Sequence, residues 1–194
     1  IGFDSRIGRK YLRGAVGYGG PCFPRDNLAM SALARGIGAE ADLAEAVDAA
    51  NRRGVDRLAS LVRSQLEASD TVGVLGMAYK PSTDVVEQSQ GVLLAAALAE
   101  SGVSVIVHDP AAQANARRVL GDAVHYAADV NDAIQTSDVL VIATPWPDYA
   151  RLDPSLYARP HRRRTVVDCW RCLDAGEVQA FADLVALGVG GRRA

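Results

Sequence analysis

Apolar residues along this chain fall in two rhythms, and the change between them divides it near residue 70. Before that point they recur at helical steps. Pro24 suits a first helical turn because it needs no N–H there, and Asn27 to Ala34 continue as good helix formers. Gly36-Ile37-Gly38 then reads as a helix stop. From Glu40 to about Ala68, Leu43, Val47, Ala50, Gly54, Leu58, Leu61, Val62 and Leu66 sustain the helical period, with charged residues largely between them. At ~1.5 Å per residue this predicts a helix roughly 40 Å long, suited to joining two domains or packing on a partner subunit. Gly54 would be its weak point.

After residue 70 the apolar positions become short continuous runs rich in β-formers. Thr71–Met77, Val103–His108, Ala123–Tyr126, Asp138–Ala143 and Arg164–Asp168 read as strands, the last of these closing the series. Helical stretches over Gln88–Ser101, Ala111–Leu120 and Asp129–Thr136 separate them. Strands that are apolar throughout and alternate with helices predict an α/β fold, with a parallel sheet covered on both faces. The expected organisation is a cysteine-bearing turn and long central helix over residues 1–69. A Rossmann-like parallel sheet domain over 70–187 and a disordered tail over 188–194 follow.

Composition narrows the class without choosing a function. The 194 residues are 49% hydrophobic and 23% charged, ordinary values for a globular protein with one good core. A net charge of -2 offers no general attraction to nucleic acid or an anionic membrane surface. No apolar run approaches the ~20 residues that span a bilayer, and no signal-peptide pattern is present. Three cysteines do not make a disulfide framework, so a reducing, cytoplasmic setting is expected. Ile1 stands first and Cys22 follows closely, so the chain reads as a piece of a longer protein.

Candidate chemistry concentrates in Gly17-Tyr18-Gly19-Gly20-Pro21-Cys22-Phe23-Pro24-Arg25-Asp26. The glycines allow close approach and positive φ. A cysteine at a helix start, near an arginine, is biased towards the nucleophilic thiolate. A structural cysteine is normally placed in an apolar run, and this one is in a turn. In open parallel sheets ligands sit beyond the carboxyl ends of the strands. Those ends carry Tyr79-Lys80, Asp109-Pro110, Thr144-Pro145-Trp146 and Asp168-Cys169-Trp170-Arg171, a fair site for a phosphate-bearing nucleotide. No GxGxxG follows the first strand, so the sheet domain is expected to hold a ligand other than NAD. The lone CxxC at Cys169–Cys172 gives no four-ligand zinc site, and no metal is expected. His161-Arg162-Arg163-Arg164 reads as a solvated loop, and His108 and His125 as strand-end residues. Trp146 and Trp170 fit packing and base stacking equally well.

Three stretches carry a family likeness: Gly2–Gly8, Gly17–Asp26 and Gly76-Met77-Ala78-Tyr79-Lys80-Pro81-Ser82-Thr83-Asp84. With Asp109-Pro110 and Val167–Arg171, in that order, they resemble the UDP-glucose/GDP-mannose dehydrogenase family. The resemblance implies a central helix and a C-terminal sugar-nucleotide domain, with the N-terminal NAD-binding domain missing from the chain. It implies oxidation of a sugar C6 alcohol, most simply that of UDP-glucose, to the acid in two hydride transfers to NAD. Cys22 would trap the aldehyde and Asp26 assist proton transfer or water activation. Tyr11, Leu12, Arg13, Gly17, Tyr18, Gly19, Tyr79, Lys80 and Arg171 would line the UDP-sugar pocket. Arg6 would reach a neighbouring subunit's site in a homodimer, and Arg25 would stand near the NAD phosphates. Three positions depart from the pattern. Val85 and Glu87 stand where a second acid and an NAD-contacting arginine are usual, and Gln90 replaces a usual proline. An anion near a pyrophosphate is unfavourable. A stand-alone module that binds a sugar nucleotide without oxidising it therefore remains the alternative.

Overall fold

The computed structural model describes residues 1–10, 12 and 14–189. Helices α1 (Phe23–Gly36) and α2 (Asp42–Arg63) precede an alternating series. That series runs β1 (Thr71–Leu75), α3 (Gln90–Glu100), β2 (Ser104–His108), α4 (Gln113–Leu120), β3 (His125–Tyr126), α5 (Val130–Thr136) and β4 (Val139–Ile142). It ends with α6 (Pro147–Ala150), β5 (Thr165–Asp168), α7 (Ala175–Val178) and β6 (Asp183–Ala186). The strands form one parallel sheet in the order β3-β2-β1-β4-β5-β6. Strand order reverses between β1 and β4, so the crevice for a ligand lies where these two strands end.

The predicted α/β architecture holds, with two differences. Residues 164–168 do not close the sheet, because β6 adds a sixth strand beyond them. This edge strand is four residues long and only partly buried, and leaves little apolar rhythm to read. The long helix stops at Arg63, which makes it about 33 Å at ~1.5 Å per residue. Beyond it Gln65 and Leu66 donate to Val62 and Arg63 three residues back, and the Asp70 carboxylate accepts from the Glu67 amide. The apolar period carries on to Leu66 because this turn still packs on the core. Gly54 causes no break, since it sits within an uninterrupted α2.

β1 and β4 are buried along nearly their whole length, as a sheet covered on both faces requires. Leu58, Ala59 and Val62 of α2 share one core with Leu94, Leu98 and the strands. The long helix is thereby packed on the sheet domain through α3. The arginines before β5 are not the expected solvated loop. Arg162 grips Asp70 at 2.6 and 3.1 Å, Arg163 bonds Asp183 and two carbonyls, and Arg164 is buried and donates to the Leu156 carbonyl. Burial alone would raise the Asp70 pKa, but the bonds to Arg162 and to the Glu67 amide hold it below the ordinary carboxylate value.

Candidate active site around Cys22

The glycine turn lies between α2 and the start of α3. The Tyr18 carbonyl accepts from Asn51 Nδ2 at 2.9 Å and from Gln90 Nε2 at 3.0 Å. The Gly20 amide donates to the Glu87 carbonyl at 2.9 Å. Gly20 has φ +85° and lies flat on the Tyr79 ring, where a Cβ would stand 2.5 Å from the ring edge. Only glycine meets both demands. Beyond the turn, the Tyr18 hydroxyl accepts from Asn27 Nδ2 at 2.9 Å, and its ring lies 5.8 Å from that of Phe23.

Cys22 immediately precedes α1 and is exposed. Its carbonyl accepts the Asp26 amide at 2.8 Å, so the two residues stand one turn apart at the end of the helix that carries unpaired N–H groups. Among the described residues Cys22 Sγ makes no hydrogen bond. Asp26 pairs with Arg25 at 3.7 Å, and both side chains are exposed. Both border open clefts: Asp26 one of about 640 Å³ with Phe23, Met30 and Val47, and Arg25 another of about 460 Å³ with Glu87 and Gln90.

Tyr79 and Lys80 follow β1 at the switch point, with Lys80 Nζ 5.4 Å from the Tyr79 ring centre. The loop is anchored by Asp109, 3% exposed, just after β2. Its Oδ2 accepts from the amides of Met77 at 2.7 Å and Ala78 at 2.9 Å and from Trp146 Nε1 at 3.1 Å. Its Oδ1 accepts from the Ala111 and Ala112 amides at 2.9 and 2.7 Å. One carboxylate thus ties together the ends of β1, β2 and β4.

The tryptophans are packing residues, their ring N–H groups bonded to Asp109 and to the Ala143 carbonyl. Cys169 and Cys172 are free thiols, the first fully buried. Burial raises the Cys172 pKa to about 12, helped by Asp168, whose carboxylate its Sγ faces at 3.6 Å. Among the described residues no cluster of His, Cys, Asp and Glu could hold a metal. His108 ends β2 and bonds the Tyr149 hydroxyl at 3.1 Å, as a strand-end residue.

The remaining candidates divide. Gly17, Tyr18 and Gly19 meet the Tyr79 loop through Gly20 and residues 87–90. Arg171, at φ 53°, donates to the carbonyls of Gly14 and Leu187, and so holds the approach to the glycine turn against the sheet domain. Arg6 is bound to its own neighbour Asp4 at 2.7 Å, and Leu12 is exposed. Tyr11 and Arg13 lie outside the described residues, as does 190–194 of the expected tail. Sequence reasoning missed Asn51 and the roles of Gln90 and Asp109. Gln90 stood out only as a departure from the family pattern and Asp109 as the Asp-Pro closing a buried strand; for Asn51 there was no signal.

The described residues offer NAD an edge rather than a site. Gly91, at the start of α3, rests on the Gly76 carbonyl, where a Cβ would lie 2.0 Å away, so the β1–α3 crossing is filled by the chain itself. Arg25, beside Asp26, and Arg52 are exposed cations bordering the cleft that Glu87 also lines.

A doubly wound parallel sheet preceded by two helices defines a protein of the Rossmann-like type. The UDP binding domain of the UDP-glucose/GDP-mannose dehydrogenase family matches residues 73–175, and the central domain of the same family matches 1–53. The chain belongs to that family. UDP-glucose 6-dehydrogenase AglM of Haloferax volcanii is 37% identical over 186 residues, 95% of this chain and 43% of its own length. TuaD of Bacillus subtilis, also a UDP-glucose 6-dehydrogenase, is 33% identical over 93% of this chain and 40% of its own. A UDP-glucose dehydrogenase from Pyrobaculum islandicum superposes with a TM-score of 0.80 at 36% identity, over 95% of this chain and 41% of that one. The chain thus spans about two fifths of the length of the curated relatives it matches.

Proposed function

We propose that this chain serves in the NAD-dependent oxidation of a nucleotide sugar, UDP-glucose, at C6 to the uronate in two hydride transfers. One observation carries the reading: Gly20 packs the thiol-bearing turn directly on the Tyr79 ring. The candidate nucleophile and the candidate nucleotide loop therefore form one site. NAD, when bound, supplies the hydride acceptor, and Arg25 is the residue of this chain that would meet its phosphates.

The first oxidation removes a hydride from C6 and a proton from its hydroxyl, giving the aldehyde. The Cys22 thiolate adds to the carbonyl carbon and the resulting alkoxide takes up a proton, giving a thiohemiacetal. Loss of the second hydride from that carbon, with the hydroxyl proton released to solvent, leaves a thioester. Water attacks its carbonyl, the C–S bond breaks, and the uronate leaves while Asp26 takes the proton. Tyr79 and Lys80 would contact the sugar nucleotide, with Tyr11, Leu12, Arg13, Gly17, Tyr18, Gly19 and Arg171 completing the pocket and Arg6 reaching the site of a second copy. A homodimer and a cytoplasmic location belong to the same reading. Leu28, Met30, Leu33 and Leu43, exposed on α1 and α2, support a second copy covering them.

The chain by itself is expected to bind the sugar nucleotide without turnover. A second reading, binding without oxidation, is favoured by Glu87, which borders the same cleft as Arg25. Titration with UDP-glucose by calorimetry, and assay of reduced NAD over a panel of sugar nucleotides in the whole protein, separate the two. Cys22→Ser abolishes uronate formation on the first reading; a variant that still makes uronate at the parent rate excludes Cys22 as nucleophile.

A further inference from the structure

We propose that Gln90, together with Asn51, is a positioning residue that sets the turn presenting Cys22. This rests on the reading of Cys22 as the nucleophile. The Tyr18 carbonyl is the convergence point, because amide N–H groups from two different helices meet on its one oxygen at 2.9 and 3.0 Å. Asn51 comes from the middle of α2, and Gln90, 5% exposed, from the first residue of α3. Each is fixed by its own helix, so the carbonyl is held from both sides. Two residues further on, the Gly20 amide bonds Glu87, three residues before Gln90.

The start of α3 therefore acts as a template for the turn, and Cys22 leaves it directly into α1. Neither amide touches the Tyr79–Lys80 loop through a hydrogen bond among the described residues. The clamp is expected to govern the turn that carries the thiol.

The test compares Gln90→Met, which keeps the volume and removes the donor, with Gln90→Glu, which replaces the donor by an acceptor. In each, amide hydrogen exchange is followed at Gly20 and in β1 and β4, alkylation by iodoacetamide is mapped at the three cysteines, and UDP is titrated by calorimetry. The expected result is exchange at Gly20 faster by about fivefold, the worth of one ordinary hydrogen bond, with strand amides unchanged. Cys22 alkylation changes in step, and Cys169 stays protected. Gln90→Glu exceeds Gln90→Met, because a carboxylate then faces the carbonyl.

Parent values for both Gly20 exchange and Cys22 alkylation in Gln90→Met overturn the proposal. So does an equal rise at Cys169, which would mean general loosening of the fold. Absence of UDP binding by the parent chain is a separate outcome: it overturns the functional reading, while the exchange data still decide the clamp.

Discussion

Replacing Asp109 by asparagine tests whether one carboxylate organises the nucleotide edge of the sheet. Asparagine keeps the shape but turns one oxygen into a donor. Its better placement keeps the carbonyl on Met77, Ala78 and Trp146, and sets the NH₂ against the amides of Ala111 and Ala112. Ala111 is exposed and can turn to water, but Ala112 is fully buried. One orphaned buried amide costs about 1–3 kcal/mol, and loss of charge assistance on the three remaining bonds adds to it, so roughly 2–4 kcal/mol is expected. Asp109→Ala strips all five acceptor contacts and is expected to cost about 4 kcal/mol or more. Urea denaturation at constant m-value reads the stability order Asp, Asn, Ala. UDP titration reads the loop: the asparagine variant keeps the Met77 and Ala78 anchors and binds within about threefold of the parent, whereas alanine frees Tyr79 and Lys80 and binds at least ten times more weakly, a loss of about 1.4 kcal/mol. An asparagine variant as stable as the parent to within about 0.5 kcal/mol would refute the accounting. Equal loss of UDP affinity in both variants would refute the assignment of one oxygen to each task.

Two further outcomes follow from single contacts. Gly20→Ala imposes a left-handed backbone on an L-residue, about 1–2 kcal/mol, and pushes a Cβ into the Tyr79 ring 2.5 Å away. In a Tyr79→Ala background only the backbone part remains, and an equal cost in both backgrounds would show that the turn and the ring do not touch. His108 supplies a pH dependence. Burial lowers its pKa below 6.5, with Asp109 and Asp129 opposing in part. As pH falls below about 6.5 the unfolded chain takes the proton first, so stability is full above that value and declines on acidification until the folded-state pKa is passed. His108→Asn should flatten the denaturant midpoint over that window; an unchanged slope would remove His108 as its source.

Much of the plan was readable along the chain. Four of the six strands are continuous apolar runs and the turn before α1 is spelled out by glycine and proline, so local pattern sufficed for both. The arginines at 162–164 show where local pattern misleads. A run of four cationic or titratable residues looks like a solvated loop, yet Asp70 and Asp183, distant in sequence, neutralise two of them and burial takes the third. Strand β6 was hidden for the opposite reason, because a half-buried edge strand needs little apolar rhythm.

The sequence by itself determined the α/β alternation, the long helix, the thiol at a helix start and the family likeness. These rest on periodicity and on turn chemistry, which act over a few residues. Only the tertiary structure decided which polar groups meet. Asn51 and Gln90 reach Tyr18 from 33 and 72 residues away, and Arg171 reaches Gly14 across 157. A polar side chain's worth depends on the partner that folding sets opposite it, and nothing in the local pattern names that partner. The cysteine could be read from the chain, but what holds it in place could not.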